Sequence, residues 1–406
     1  MYSLLAGLRI IEGASFIAAP SCGLHLLQLG AEVIRFDMIG GGPDFHRWPL
    51  AASGASLYWE GLNKGKKSVA LDLSRPEGRE LAVALATAPG ENAGIFLTNF
   101  PPEGFLSHAR LAKKRPDLIS VRVMGWPDGT TAVDYTVNCA VGLPSLTGPA
   151  ESIEPVNHVL PAWDLLTGAT AAFSLLAAER HRRLTGQGQE IRVPLGDVAM
   201  ATLGHLGQIA EVVAAGADRP RLGNELFGAF GRDFLTQDGK RVMIVAITPR
   251  QWTGLLKALG IAEAAAAIEA ELGVSFARDE GLRFAHRHRL FPLVEAAVAQ
   301  LSREALAARL DANDVCWGPY RTLSEALRED PRLSPANPLF SPVAHPSGLS
   351  YPTPGPAATF TGMPRGASVR APRLGEHTDE VLAALLALPD HEIARLHDAG
   401  IVAGPT

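Results

Sequence analysis

The stretch PAWDLLTGATAAFSLLAAERHRRLTGQGQEIRV occupies residues 161–193, and the interpretation of the whole chain starts from it. Alanine and other apolar residues cover nearly the full circumference of a helix predicted over residues 165–183, which indicates that this helix is buried. Arginines and a histidine gather at its C-terminal end, where cations complement the helix dipole. The segment TGQG at residues 185–188 ends the helix, and residues 189–193 are predicted to form a strand.

Asp164 stands where this helix begins, and two interpretations of its carboxylate remain open. A carboxylate at a helix start accepts hydrogen bonds from backbone N–H groups that lack a partner within the helix, so Asp164 could be an ordinary N-cap. The helix is expected to be buried, however, and the residues Pro161-Ala162-Trp163 give the carboxylate an apolar approach. An acid placed in that way could act as a nucleophile.

The composition of the 406 residues is that of a soluble globular protein, with 47% hydrophobic and 19% charged residues, and the length allows two or three domains. The net charge of −5 gives no sign of a nucleic-acid surface, and no apolar run is long enough to span a membrane. The N-terminal residues lack the pattern of a signal peptide, and three widely spaced cysteines fit a reducing compartment. We therefore expect a cytoplasmic protein.

Residues 8–37 predict a strand, a helix and a second strand that ends at Asp37, the pattern of dinucleotide-binding folds. The loop at residues 12–20 lacks the GxGxxG motif, and three glycines at residues 40–42 follow the second strand, where they cannot replace it. Strands and helices continue to alternate afterwards. The sequence thus predicts an α/β fold with a doubly wound, Rossmann-like parallel sheet that binds ligands at the carboxyl ends of its strands, and it disfavours a nicotinamide site.

A basic turn at residues 63–67, NKGKK, directly precedes the strand predicted over residues 68–73. Ammonium groups beside a glycine can surround a phosphate, and a solvated turn has the same composition. The spacing alone does not decide between these two interpretations.

The chain is predicted to divide into three parts. Residues 1–215 form the first part of a large domain, and residues 216–325 form a small α+β domain with a hairpin over the Asp-Gly turn at residues 238–239. Residues 326–406 contain a proline-rich connection that returns to the large domain and ends in a helix.

Several segments, taken in order, resemble the class III CoA-transferases, the CaiB/BaiF family of formyl-CoA transferase type. These segments are the N-terminal LAGLRIIEG and APSCGLHLLQLGAEVIRFD, then NKGKKSVALDLSRPEGRELA, TNFPPEGFL, RPDLISVRVMGWPDG, RLTGQGQEIRVPLGDVAM, VCWGPYRTLSEALREDPRL and GEHTDEVL. The resemblance covers nearly the whole chain. It implies a large doubly wound domain made from both chain ends, a small domain in the middle, and an interlocked homodimer.

The resemblance also implies the site. The family nucleophile is an aspartate that opens the helix before the TGxGQ segment, a position that Asp164 occupies, and it forms an aspartyl-CoA thioester. Coenzyme A would enter as part of the substrate, with no tightly bound cofactor and no metal. The segment from Gly223 to Gly231, which includes Gly228, would be a glycine-containing lid. The positions where the family binds CoA correspond here to Asn63, Lys64, Lys66, Lys67, Asn99 and Phe100.

Three positions, Ile17, Met38 and His108, depart from the polar or basic residues of many relatives, so individual CoA contacts cannot be carried over there. The stretches at residues 132–148 and 155–164 most resemble the mesaconyl-CoA transferases, which move CoA from carbon 1 to carbon 4 of one acid. That activity needs donors for a free carboxylate. The candidates, chosen by polarity and segment, are Arg47, His46, Tyr135, Asn138 and His158.

Other activities remain open at this point. The chain could transfer CoA between two molecules, from an acyl-CoA to a dicarboxylic acid. An α-methylacyl-CoA racemase shares the fold, but the histidine of its Gly-His-Asp motif is missing from the matching Ala132-Val133-Asp134. A CoA-binding protein without catalysis and a Rossmann oxidoreductase are the further alternatives, and the missing glycine motif argues against the last.

Overall fold

The computed structural model describes residues 1–405, which form two compact units. Within these residues, the first unit contains residues 1–141, 159–214 and those from 330 onwards, and the second contains residues 142–158 and 215–329. Residues 142–158, which the sequence analysis placed in the large domain, therefore belong to the second unit. The reason is local, because the Arg221 guanidinium donates hydrogen bonds to the carbonyl oxygens of Ser145, Ser152 and Glu154.

Twelve strands occur within the described residues. They are β1 (Arg9–Gly13), β2 (Glu32–Met38), β3 (Lys67–Leu71), β4 (Ile95–Thr98), β5 (Ile119–Met124), β6 (Gln189–Pro194), β7 (Phe230–Leu235), β8 (Arg241–Ala246), β9 (Cys316–Pro319), β10 (Phe340–Ala344), β11 (Ser350–Pro354) and β12 (Val402–Ala403).

Sixteen α-helices occur in the same part of the chain. They are α1 (Ala18–Gln28), α2 (Leu57–Asn63), α3 (Pro76–Ala86), α4 (His108–Lys114), α5 (Asp134–Ala140), α6 (Ala162–Thr185), α7 (Leu195–His205), α8 (Gln208–Ala215), α9 (Pro249–Leu259), α10 (Ala262–Leu272), α11 (Glu280–Ala285), α12 (Arg287–Val298), α13 (Arg303–Asp311), α14 (Leu323–Glu329), α15 (Thr378–Leu386) and α16 (Asp390–Asp398).

The first unit is built on a seven-stranded sheet with the order β12-β3-β2-β1-β4-β5-β6. All neighbouring strands are parallel except the β12–β3 pair, which the C-terminal end of the chain adds as an antiparallel edge. The predicted mixed α/β architecture with a large, mainly parallel sheet is confirmed. The order reverses between β1 and β4, and ligands of such sheets bind in the crevice at the carboxyl ends of the strands flanking this point.

Helix α6 packs on α1 in the first unit, and a glycine permits the close approach. A Cβ atom added at Gly168 would lie 2.0 Å from Oγ of Ser21 and 2.6 Å from the carbonyl oxygen of Ala18, so no larger residue fits without displacing α1. The helix is three residues longer at its start than the predicted 165–183. It ends at Thr185 and is followed by Gly186, whose φ of 74° is left-handed, so the end predicted from the TGQG segment is confirmed.

The second unit contains the antiparallel sheet β7-β8-β9 and helices α9 to α14. The hairpin predicted over the Asp-Gly turn is β7–β8, and its inward side chains, with those of α9, α12 and α13, form a separate apolar core. Proline-rich residues 340–354, in the first unit, form the antiparallel pair β10–β11.

Within residues 1–405 no single helix is long and apolar enough to cross a membrane. The consecutive helices α7 and α8 satisfy the length and composition only when taken together, and they are bent by 63°.

Candidate active site

Asp164 is the third residue of α6 and does not cap it. The helix start is instead capped by Asp134, the first residue of α5, whose Oδ2 accepts hydrogen bonds from the backbone N–H groups of Trp163 (2.6 Å) and Asp164 (3.1 Å). The N-cap interpretation of Asp164 is therefore wrong, because another carboxylate takes the unpartnered N–H groups. The Asp164 side chain remains available for chemistry.

Helix α5 fixes the start of α6 at a second point. Asn138 lies one turn after Asp134, so both side chains project from the same face of α5. The indole Nε1–H of Trp163 donates to Oδ1 of Asn138 at 3.0 Å. Both Asp134 and Asn138 are buried, and together they hold the backbone immediately before the Asp164 side chain.

The surroundings of Asp164 raise the pKa of its carboxyl to about 7. Burial contributes most, because it disfavours the charged form, and the nearby Asp134 carboxylate adds to it by repulsion. The Arg47 guanidinium acts in the opposite direction and lowers the pKa. A carboxyl with these neighbours is a mixture of acid and carboxylate near neutral pH, and perturbed groups of this kind are typical of functional sites.

Arg47 lies close to Asp164 with its guanidinium between two aromatic rings. Its Cζ is 5.7 Å from the centre of the Phe16 ring and 5.4 Å from that of Tyr58. Ser56, which caps α2, also donates its hydroxyl to the Arg47 carbonyl oxygen and so ties this backbone to the helix that carries Tyr58. Arg47 makes no ion pair within the described residues, and its charge is therefore available to a ligand anion.

The loop after β1 is held in place by buried charges. Phe16 has a left-handed φ of 71°, and its backbone N–H donates to Oδ2 of Asp44 at 3.0 Å. Asp44 in turn accepts from the buried Arg35, which also binds Asp37. This network holds Phe16 where its ring contacts Arg47.

Tyr58 presents an unused hydroxyl near the same carboxylate. Its oxygen is buried and has no hydrogen-bond partner within residues 1–405, although such atoms are nearly always satisfied in native proteins. Burial, with the negative charges of Asp44 and Asp164, raises the pKa of the Tyr58 phenol, while Arg47 opposes them. The phenol is thus neutral and can donate a hydrogen bond to a ligand oxygen.

The three lysines of the basic turn do not form an open clamp. Lys66 is fully buried, and its ammonium donates to Glu12, to the Pro20 carbonyl oxygen and to Asn63, which accounts for all three of its protons. This geometry gives Lys66 a structural role in place of the expected phosphate contact. The sequence could not reveal it because Glu12 is 54 residues away.

Lys64 and Lys67 are also engaged. The Lys64 ammonium donates to the Gly61 carbonyl oxygen, and burial, followed by repulsion from Lys66, lowers its pKa to about 8. Lys67 is partly exposed and pairs with Glu32 (2.9 Å) and Glu380 (2.7 Å).

The other residues expected to bind CoA have mainly internal contacts. Asn63 is buried and bridges Trp59, Arg35 and Lys66. The Asn99 amide exchanges two hydrogen bonds with the Ser15 backbone, at 3.2 and 3.0 Å, and so links the loops after β1 and β4. Phe100 is half-buried and packs against Phe36.

The remaining candidate site residues are divided between the two units. In the first unit, Tyr135 neighbours Asp134 on α5 and is 40% exposed, and the His46 ring contacts Phe45. His158, Gly228 and Gly231 belong to the second unit. Gly228 has a left-handed φ of 79°, and Gly231 lies in β7. The roles expected for these three residues remain predictions. Among residues 1–405 no cluster of three or more histidine, cysteine or acidic side chains could hold a metal ion.

The structure thus brings Asp164 and Arg47 together and adds Asp134 and Tyr58, which sequence reasoning missed as site residues. Asp134 is 30 residues from Asp164 and was noticed only because a histidine is absent before it. An acidic residue at the start of a short helix would have indicated this role, but α5 was not predicted from the sequence.

The chain is similar to known proteins over nearly its whole length. A family model described as CoA-transferase family III matches residues 5–378. The 2-methylfumaryl-CoA isomerase of Chloroflexus aurantiacus is 52% identical over 406 residues, covering 100% of this chain and 99% of that protein. The formyl-CoA:oxalate CoA-transferase of Rhodopseudomonas palustris (strain HaA2) is 27% identical, covering 100% and 99%.

Solved structures resemble the fold as well. A CAIB/BAIF family protein from Brucella suis superimposes with a TM-score of 0.76 at 26% identity, over 95% of this chain and 100% of that one. Rv3272 from Mycobacterium tuberculosis gives 0.72 at 22% identity, over 92% and 97%, which supports the fold alone.

Proposed function

The chain belongs to CoA-transferase family III, and from that premise we propose that it isomerises mesaconyl-CoA (2-methylfumaryl-CoA) by moving CoA between the carbon-1 and carbon-4 carboxylates of one mesaconate. The observation that carries the proposal is the 52% identity to a 2-methylfumaryl-CoA isomerase over the whole length of both chains. Relatives whose names describe transfer of CoA between two acids, among them succinyl-CoA–D-citramalate and succinyl-CoA:glutarate CoA-transferases, are 25–28% identical.

The proposed chemistry uses Asp164 twice. Its carboxylate attacks the carbon-1 thioester carbonyl and expels CoA thiolate, which leaves a mixed mesaconyl–aspartyl anhydride. The thiolate attacks the aspartyl carbonyl, which gives an aspartyl-CoA thioester and free mesaconate. The carbon-4 carboxylate then attacks that thioester, and the thiolate released attacks carbon 4 and restores Asp164. Every bond broken is matched by one formed, and no co-reactant is needed.

The geometry supports this assignment of roles. Partial burial of Asp164 limits the access of water to the anhydride and the thioester and leaves its carboxylate poorly solvated. Arg47 forms no ion pair within residues 1–405 and can hold the mesaconate carboxylate that is not reacting. The Tyr58 hydroxyl can donate to an oxyanion or to the same carboxylate.

Retention of mesaconate between the two half-reactions is the specific expectation. An acid held by Arg47 needs only to turn over to present its second carboxylate, so no second bimolecular encounter is required. Incubation of mesaconyl-CoA with excess labelled free mesaconate is expected to give the carbon-4 isomer with little label in either thioester. Mass spectrometry of both isomers measures the incorporation.

Two outcomes would count against retention or against the reaction. Label entering the thioesters as fast as isomerisation proceeds would mean exchange with acid from solution, hence an ordinary intermolecular transferase. An absence of isomerisation would leave only the family assignment.

We also propose a homodimer, because α6 and α8 of the first unit leave large apolar side chains uncovered. Phe173 on α6 is 63% exposed, Val213 on α8 is 79% exposed, and none of the residues of α8 is buried. Apolar surface of this extent is typical of a subunit interface. Light scattering should give twice the mass of one chain, and the mass of a single chain would contradict the proposal.

A further inference from the structure

The turn between β10 and β11 in the first unit binds the segment that carries Arg47 and Tyr58. Ser347 in this turn uses all three of its polar groups for the contact. Its backbone N–H donates to Oε1 of Glu60 at 2.7 Å, and its hydroxyl donates to Oε2 at 2.9 Å. Its carbonyl oxygen accepts from the Ser53 hydroxyl at 3.0 Å. Since Ser53 precedes Tyr58 and Glu60 follows it, one turn holds the segment on both sides of Tyr58.

The Glu60 carboxylate is buried and forms no ion pair within residues 1–405. Besides the two hydrogen bonds from Ser347, it accepts one at 3.4 Å from the hydroxyl of Tyr351 on β11. Removing a carboxylate from water without a counter-ion is costly, and the cost is offset only where hydrogen bonds satisfy its oxygens. A charge retained on these terms favours a role in fixing one geometry.

Helix α2 carries Tyr58 and Glu60 on opposite sides. Residues two apart in a helix do not face the same way, so the two side chains project in nearly opposite directions. The Tyr58 side lies against Arg47, whose Cζ is 5.4 Å from the ring centre, and the Glu60 side lies against the turn. With only seven residues, α2 depends on tertiary contacts for its position. The turn therefore supports α2 from behind the site.

The backbone of Arg47 is tied to the same helix. Ser56, which caps α2, donates its hydroxyl to the Arg47 carbonyl oxygen, and the N–H of Leu57 donates to the Pro49 carbonyl oxygen at 2.9 Å. A displacement of α2 would therefore displace both groups that are proposed to hold the mesaconate carboxylate that is not reacting, the Arg47 guanidinium and the Tyr58 hydroxyl.

The turn is itself fixed by internal contacts. The N–H of His345 donates to the Leu349 carbonyl oxygen at 2.9 Å, and Gly348 between them has a left-handed φ of 85°, which favours glycine. The His345 ring is buried and stacks on that of Tyr351 with the ring centres 4.5 Å apart. Its Nδ1 accepts from the backbone N–H of Ala371 at 3.4 Å. The support for α2 is thus anchored independently of α2.

We propose that Glu60 and Ser347 are positioning residues that keep mesaconate in the site between the two half-reactions. They do so by fixing Arg47 and Tyr58 against its free carboxylate. The inference rests on the proposed function, in which one acid stays bound while Asp164 carries CoA. Because both residues act through α2, loosening their contact should let mesaconate leave before the second transfer without stopping the chemistry at Asp164.

The test repeats the incubation with labelled free mesaconate on variants of this contact. Ser347→Ala removes one hydroxyl, and Glu60→Gln keeps the size of the side chain but removes its charge. In both variants the label incorporated per isomerisation should rise at least about threefold, because a hydrogen bond to a charged group is lost. This ratio does not depend on the amount of folded protein. Ser350→Ala is the matched control, because Ser350 is exposed in the same hairpin, and it should keep the wild-type ratio.

A binding measurement separates this inference from the proposed reaction. Tiglate has the carbon skeleton of mesaconate with a methyl group in place of the carbon-4 carboxylate, so it lacks a group that Arg47 and Tyr58 could hold. In calorimetry the wild-type protein should bind mesaconate about tenfold more tightly than tiglate, the effect of a charge-assisted hydrogen bond. Glu60→Gln and Ser347→Ala should lower this preference, and Ser350→Ala should keep it.

Wild-type label incorporation in both Glu60→Gln and Ser347→Ala would overturn the positioning role, as would an unchanged preference for mesaconate over tiglate. An equal rise of incorporation in Ser350→Ala would also overturn it, since any change in the hairpin would then have the same effect. Binding needs no turnover, so a protein that fails to isomerise mesaconyl-CoA but shows the predicted preferences would refute the reaction alone.

Discussion

Replacing Asp164 by alanine is expected to lower turnover by about 10³-fold or more, because the proposed route passes every acyl group and every CoA through this carboxylate. Neighbouring groups cannot replace it. Asp134 is engaged by the backbone N–H groups of Trp163 and Asp164, and Tyr58 is a neutral phenol. The measurement is the rate of appearance of the second mesaconyl-CoA isomer, followed by chromatography.

Asp197→Ala is the matched control for this variant. Asp197 occupies the same position in the first turn of α7 as Asp164 does in α6, but it is exposed and is expected to leave turnover near the wild-type value. A rate for Asp164→Ala above about a tenth of wild type would exclude covalent catalysis by Asp164.

Substitution of Asp134 should have the second largest effect on turnover, because Asp134 influences both the position and the ionisation of Asp164. Asp134→Ala removes the acceptor for two N–H groups at the start of α6. We expect turnover to fall about 10- to 100-fold, because displacing a reacting group by about 1 Å can cost a factor of about 100. Asp134→Asn keeps an acceptor oxygen and should recover part of the rate.

The pH profile separates an electrostatic role of Asp134 from a purely structural one. The nucleophile must be ionised, so kcat/KM of the wild-type enzyme should fall as the pH drops below about 7, the pKa of Asp164. The Asp134 charge raises that pKa and Arg47 lowers it. In Asp134→Asn the repulsion is gone, the pKa of Asp164 falls, and the acidic limb should move to lower pH.

Asn138→Ala is the control for this shift. It removes the hydrogen bond to the Trp163 indole but changes no charge, so it should reduce kcat and leave the acidic limb in place. An unshifted acidic limb in Asp134→Asn would mean that Asp134 acts only as a helix cap.

The large sheet was predictable because its signals are local. The elements over residues 8–37 and the helix that ends before Gly186 follow from hydrophobic periodicity, a stop signal and a short connection. Helices α2 and α5 were missed because each has only seven residues, too few for a periodic pattern. Both carry residues of the site, Tyr58 and Asp134.

The partners of the charged side chains were harder to predict than the fold. In the sequence, the lysines at residues 64–67 resemble a phosphate-binding cluster. In the structure, Lys66 pairs with Glu12 on β1, and Lys67 pairs with Glu380 on α15. Whether a cation meets a ligand or a protein carboxylate depends on long-range packing, which residue spacing does not encode.

The most direct test of the proposed mechanism is chemical trapping of the acylated aspartate. The protein is mixed with mesaconyl-CoA, quenched with hydroxylamine and digested, and the peptide that contains Asp164 is analysed by mass spectrometry. The mechanism predicts a hydroxamate at Asp164 that requires mesaconyl-CoA and is absent from Asp164→Ala, while Asp197→Ala shows it normally. Isomerisation of mesaconyl-CoA by a protein in which no hydroxamate forms at Asp164, or one that forms at another residue, would contradict it.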